Sequence, residues 1–301
     1  MDPGRTAANG VSLVCSRAVS FRLGTVPSDS IGYIYVLYDY VSIMGSHNPK
    51  TKQLKSVKTT FEIIEYLKQN TAGSVNEIAE ELEAPKSTVH SHLTTLNQIG
   101  YLVNDAGTYR LSFRFVHLGR TIEESNRLRR IVQPTVETLA EATGEQAYFA
   151  VEENGLATNV VIAEGEHAIQ REFLPGGQAR MSNTATGKAI LAFLPPEQAD
   201  DIVRQWGMPA RTRKTITDRD ELLDELEAIR EDGIAYAREE SVKGLLEIAK
   251  PILSDDGTPQ GAIEIAGPMK RLENEEYQRT LIEEIEKAVN EIEVNFLSAE
   301  L

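Results

Sequence analysis

Seven residues suited to a nucleic-acid surface fall between positions 86 and 95: Lys86, Ser87, Thr88, His90, Ser91, Thr94 and Thr95. An ammonium can meet a phosphate, while short hydroxyls and an imidazole can reach base edges. Tyr109 and Arg110 follow in a strand-turn-strand segment and could touch a minor groove or the backbone. Other chemistry is harder to assemble. Gly187-Lys188 lacks the glycine five residues before Gly187 that a phosphate-cradling loop needs, because position 182 is Ser. The single cysteine, Cys15, excludes a disulfide framework and a cysteine-rich metal site. His90 and His92 are two apart on a helix, so they face different ways and are not a metal pair. His117 and His167 are isolated, and Trp206 reads as a packing residue. With no nucleophile elbow and no activated Cys–His pair, neither catalysis nor a cofactor is expected.

The elements that must position the seven residues are legible. Val57, Phe61, Ile64 and Leu67 make one apolar helical stripe across 56–70. Ser74 and Glu77 form a capping box ahead of a short helix with Val75, Ile78, Ala79 and Leu82 inward. Pro85 opens a third helix, PKSTVHSHLTTLNQI, burying Val89, Leu93, Leu96 and Ile99, with Gly100 as its C-terminal cap. Two helices joined by a tight turn give helix-turn-helix geometry. YLVNDAGTYRL then reads as two strands around the turn Asn104–Gly107, a wing. A three-helix domain of this kind can also serve protein–protein contact.

Charge favours DNA. The net charge of −15 conceals a division. Residues 44–120 carry 9 Lys/Arg against 7 Asp/Glu, a net +2, whereas residues 121–301 carry 19 against 36, a net −17. Only the first region could approach a phosphate backbone without strong repulsion. An acidic surface richer in Arg than Lys also suits a salt-loving host. The 301 residues, 41% hydrophobic, allow about two packed domains. No run of about 18 apolar residues occurs, and with one cysteine the chain reads as intracellular and cytoplasmic. Residues 1–43 have no clear period apart from the apolar IGYIYVLYDYVSIM. They are expected to be a disordered extension or a start-site artefact, with translation beginning at Met44; an arm packed on the winged helix is the alternative.

Beyond the wing, residues 120–143 read as helical, with Arg127, Arg129 and Arg130 making the linker helix basic, Pro134 starting a second helix and Gly144 ending it. Gln146–Glu152, Leu156–Glu164 and Ile169–Phe173 read as antiparallel strands. Thr184–Leu194, Glu197–Gln205 and Asp220–Asp232 read as helices. Ile234–Arg238, Leu245–Leu253 and Gln260–Ala266 read as strands, the last two joined at Asp256-Gly257, and Asn274 caps a helix to about Phe296. The pattern SVNEIAEEL…PKSTVHSHLTTLNQIGYL over 54–119 resembles the IclR DNA-binding domain. RMSNTATGKAILAFLP (180–195), EDGIAYAREESVKGLLEIAKPIL (231–253) and GAIEIAGPMKRL (261–272) extend the resemblance to about residue 298. It implies an α+β chain: an N-terminal winged helix-turn-helix (44–119), a linker helix (120–132) and an effector-binding domain (133–301) with a mainly antiparallel, GAF/profilin-like sheet. It further implies a double-stranded DNA operator, a small-molecule effector, a homodimer or dimer of dimers, and control of catabolic genes.

Carried over by position, the resemblance places the effector against Ala185 and Thr186, with Arg171 and Ala179 on the wall and Ala237, Glu247, Glu264 and Ala266 on the last strands. A two-residue turn at Asp256-Gly257 would pair 247 with 266 and 249 with 264, setting Glu247 and Glu264 on one sheet face. The two glutamates depart from the family's commoner small polar residues. Either they pair with Arg171, Arg180 or Arg238, or they accept hydrogen bonds from a polyhydroxyl or cationic ligand, or they lie solvated on an open face. A simple dicarboxylate fits only if those arginines face it.

Overall fold

The structure, a computed structural model, describes residues 53–169 and 174–299. The extension expected at 1–43, Arg171, and all but the first residue of the strand expected at Ile169–Phe173 lie outside the described residues.

The first domain is three helices and a small sheet. Helix α1 (Lys55–Asn70) leads through β1 (Gly73–Ser74) into α2 (Val75–Glu81), whose capping box is formed as expected: Glu77 Oε2 accepts from Ser74 N at 2.8 Å. Helix α3 (Lys86–Gln98) follows Pro85. Strands β2 (Leu102–Asp105) and β3 (Thr108–Leu111) make the wing, with sheet order β1-β3-β2. The turn places Ala106 (φ 50°) and Gly107 (φ 93°) in the left-handed region, and Asn104 Oδ1 accepts from Gly107 N at 2.9 Å. Ile63, Leu67, Ile78, Val89, Leu93, Leu96 and Leu102 form the core. The expected stripe on α1 is only half right. The helix turns Ile63 and Leu67 inward, Ile64 is half-buried, and Val57 and Phe61 are exposed. Ile99 is exposed as well, because α3 ends before it.

The linker also differs from expectation. Helix α4 (Arg114–Ser125) ends at Asn126, and α5 (Arg127–Thr143) begins there, with Asn126 Oδ1 accepting from Arg129 N at 3.0 Å. The linker helix is therefore 114–125 rather than 120–132, and Pro134 lies inside α5 instead of starting it. Burial of Val132, Val136, Leu139 and Ala140 against the sheet outweighs the disruption that an interior proline brings. Helix α4 buries none of its residues.

The second domain is a six-stranded antiparallel sheet of order β6-β5-β4-β9-β8-β7, covered on both faces. Its elements are β4 (Gln146–Glu153), β5 (Leu156–Glu164), β6 (Gln178–Arg180), α6 (Ala185–Phe193), α7 (Pro196–Trp206), α8 (Arg219–Asp232), β7 (Ala235–Arg238), β8 (Leu245–Leu253), β9 (Pro259–Pro268), α9 (Met269–Leu272) and α10 (Glu275–Ala299). Helices α6, α7 and α8 cover one face over Leu156, Ala237, Ala249 and Ala262. Helices α5 and α10 cover the other over Phe149, Leu246, Ile248, Ile263 and Ile265. The β8–β9 pairing sets Glu247 opposite Ala266 and Ala249 opposite Glu264, as the turn predicted. The connection is longer than two residues: it spans 254–258, and a bulge near Ile252/Leu253 restores the register. The three-residue β6 was not anticipated, being too short to show a period.

Candidate nucleic-acid interface and ligand site

On α3, Lys86, Ser87, Thr88, His90, Ser91 and Thr95 are exposed together and Thr94 is half-buried. Val89, Leu93 and Leu96 anchor the opposite side. Two of the hydroxyls are already oriented: Ser91 Oγ donates to Ser87 O at 2.9 Å, and Thr95 Oγ1 to Ser91 O at 2.8 Å. Their lone pairs stay available, so both present acceptors outward. No side chain caps the start of α3, which leaves the positive end of the helix dipole beside Lys86. His92 is not part of this face. Its Nδ1 lies 2.9 Å from Thr60 Oγ1, tying α3 to α1. Tyr109 must be corrected: it is 5% exposed and packs in the domain core, since alternation along β3 turns it inward. Arg110, the next residue, is exposed on the wing. Arg114 is spent internally, donating to Ile99 O at 2.7 Å and lying 4.9 Å over the Tyr101 ring.

The second constellation surrounds the start of α6. Ala185, Thr186, Ala237 and Ala266 are buried and Ala179 is half-buried. Glu247 and Glu264 are 2% and 6% exposed, which removes the solvated alternative. Glu247 Oε2 accepts from Ala185 N at 3.2 Å, and its Oε1 from Ser241 Oγ at 2.5 Å. Glu264 Oε2 accepts from Thr186 N at 3.0 Å. Gly187 N donates to Thr184 Oγ1 at 3.1 Å and Lys188 N to Thr184 O at 3.0 Å, so each of the first four amides of α6 has a partner. Of the arginines considered as counterions, Arg180 donates to Trp206 O and Arg238 lies 4.2 Å over the Tyr236 ring. Gly187 is required by close approach, because a Cβ there would stand 2.3 Å from Met181 O.

Sequence reasoning missed what Lys188 does. Its side chain is fully buried, with Nζ 2.8 Å from Glu240 Oε1 and 3.0 Å from Glu225 Oε1. Burial pushes the Glu240 carboxyl above its ordinary range, against the lowering pull of Lys188, and among the described residues its Oε2 has no partner. The available signal was a lone charge inside the apolar run ATGKAILAF. A second buried pair also escaped notice. Arg271 grips the wholly buried Glu145 with two hydrogen bonds, 2.6 and 2.5 Å, and Tyr277 Oη donates to Glu145 Oε1 at 3.0 Å.

Among the described residues no three His, Cys, Asp or Glu side chains stand where they could hold a metal ion, and no helix is long and apolar enough to cross a membrane. The IclR helix-turn-helix domain family matches residues 56–106, and the bacterial transcriptional regulator IclR C-terminal family matches residues 121–294. Over 259 residues the chain is 28% identical to the "Probable HTH-type transcriptional regulator ArcR" of Halobacterium salinarum, spanning 85% of this chain and 98% of that protein. The solved IclR structure from Thermotoga maritima superposes with a TM-score of 0.66 at 25% identity, covering 80% of this chain and 98% of that one. An IclR homolog of Microbacterium hydrocarbonoxydans, solved with 4-hydroxybenzoate, shares the fold at a TM-score of 0.68 and 20% identity, over 81% of this chain and 99% of that one.

Proposed function

The chain belongs to the IclR family of transcriptional regulators, and from that premise we propose that two or four copies hold a pseudo-palindromic operator, with α3 of each paired copy in a major groove. It is a DNA-binding regulator with an N-terminal helix-turn-helix and a C-terminal effector-binding domain. The observation that carries the docking mode is the exposed polar face of α3, set over a packed core and beginning at Lys86. Lys86, Ser87, Thr88 and the wing's Arg110 contact phosphates, while His90, Ser91, Thr94 and Thr95 read base edges. The effector sits at the start of α6, against Ala179, Ala185, Thr186, Ala237, Glu247, Glu264 and Ala266. Effector binding biases operator occupancy by favouring one arrangement of the DNA-binding domains. The regulated genes are catabolic, by analogy with the family, and the protein works in the cytoplasm without a catalytic step of its own.

The test is binding of the full chain to DNA upstream of its own gene across a salt series. Selective binding with a steep inverse salt dependence is expected. Lys86→Ala should weaken binding to all sequences alike and lower the salt slope by about 1, whereas His90→Ala or Ser91→Ala should alter sequence preference. A chain that binds no DNA selectively at any salt would act through protein partners instead.

A further inference from the structure

Three elements leave a groove between them: the first turns of α5, the connection between β8 and β9, and the C-terminal end of α10. Its volume is about 670 Å³, enough for a small organic molecule. It is separate from the start of α6, since none of the residues placed there lines it. Helical spacing builds the apolar part of its wall. Leu128 and Ile131 stand three apart on α5, and Phe296 and Leu297 follow Glu293 by three and four residues on α10, so each set shares one helix face. Phe296 is half-buried and Leu297 exposed, so this apolar surface remains open to a ligand.

The rest of the lining is acidic. Asp255 and Asp256 come from the connection and Glu293 from α10. Asp256 Oδ1 accepts from Ser254 Oγ at 2.7 Å and from Thr258 N at 3.0 Å, and these bonds hold its carboxyl below the ordinary range. Glu293 Oε1 accepts from Leu253 N at 3.2 Å, fastening α10 to the end of β8. Among the described residues the Asp255 carboxylate has no partner, and Arg127, the one cation in the lining, forms no ion pair within 4.0 Å. Three carboxylates against one guanidinium leave two negative charges unbalanced beside an apolar wall. A neutral apolar molecule would fill the space without answering that charge, and an anion would be repelled.

We propose that this groove is a second ligand site, built for an organic cation whose ammonium group lies among Asp255, Asp256 and Glu293 and whose apolar body packs on Leu128, Ile131 and Phe296. Arg127 and Leu128 are the first residues of α5, so the ligand lies beside the joint at Asn126.

The experiment is calorimetric titration of the full chain with 2-phenylethylamine, with the uncharged 2-phenylethanol and with the anionic 3-phenylpropanoate. The amine is expected to bind below about 1 mM, and the other two at least about tenfold more weakly. Asp255→Asn with Glu293→Gln removes two charges while keeping an acceptor for Leu253 N, and should cut the affinity for the amine at least about tenfold. Should circular dichroism show that double variant unfolded, Asp255→Lys, at an exposed position, is expected to move the affinity in the same direction. Amine binding that ignores these substitutions, or equal binding of amine and alcohol, overturns the inference. So does a wild type that leaves the amine unbound while Phe296→Ala lowers its sedimenting mass, which would make the groove an interface between copies of this chain.

Discussion

Lys188 shows how a side chain can be conspicuous while its role goes unseen. Its Gly-Lys neighbourhood lacks the glycine a phosphate loop needs, and its ammonium is fully buried between Glu225 and Glu240 and holds α6 to α8 and to the segment after β7. Removing the cation strands a buried carboxylate, so Lys188→Met should cost about 3–5 kcal/mol in urea unfolding. Glu240→Gln leaves the Glu225 pair intact and should cost about 1 kcal/mol; a reversal of that order would contradict the arrangement. The pH dependence has a definite sign. The folded Glu240 carboxyl lies above its ordinary 4.5, so its contribution is fully present below that value and is lost as pH rises through the raised one. The difference between wild type and Glu240→Gln should therefore move in favour of the variant as pH climbs. At this scale the sequence named Glu247 and Glu264 correctly as neighbours on one face but could not show that backbone amides would receive them. It also offered Tyr109 to DNA, because alternation alone does not say which face of a two-stranded wing is inside.

At the scale of elements, periodicity and turn chemistry carried most of the fold. The capping box at Ser74, the glycine stops and the β8–β9 register were legible, because each rests on local geometry. The register survived a longer connection than expected only because the bulge near Leu253 compensates for it. The elements missed are those fixed by distant partners. Pro134 signalled a helix start, but burial of α5 on the sheet kept the helix continuous through it. The four-residue α9 could not be seen at all; it is placed where Arg271 clamps Glu145 and Tyr277 closes the network from α10. Arg271→Ala should destabilise the effector domain by about 2 kcal/mol in chemical denaturation. That is below the range for a sealed pair, since Arg271 is partly exposed and Tyr277 still serves Glu145. Burial, and then the charge of Glu145, push the Tyr277 hydroxyl up to about 12 from 10.0. Its contribution is thus complete below pH 10 and is lost as pH passes about 12, so Tyr277→Phe should flatten the stability profile in alkaline unfolding.

For the whole molecule, the two domains differ in charge as well as fold, with a net +2 over 44–120 and −17 over 121–301. Added salt should therefore weaken operator binding steeply while relieving self-repulsion in the acidic part, so thermal stability should rise over the range in which DNA affinity falls. A melting temperature that drops with salt in parallel with DNA binding would contradict this. The join between the domains also has mechanical meaning. Helix α4 buries no residue of its own and meets α5 at Asn126. Its 12 residues make an arm about 18 Å long. A rotation of about 10° at Asn126 would sweep the far end of that arm through about 3 Å. In the paired arrangement proposed above, recognition helices about 34 Å apart on DNA would tolerate little such error, so a joint one residue long would work as a gear: a small turn at the sheet would become a change of phase along the double helix.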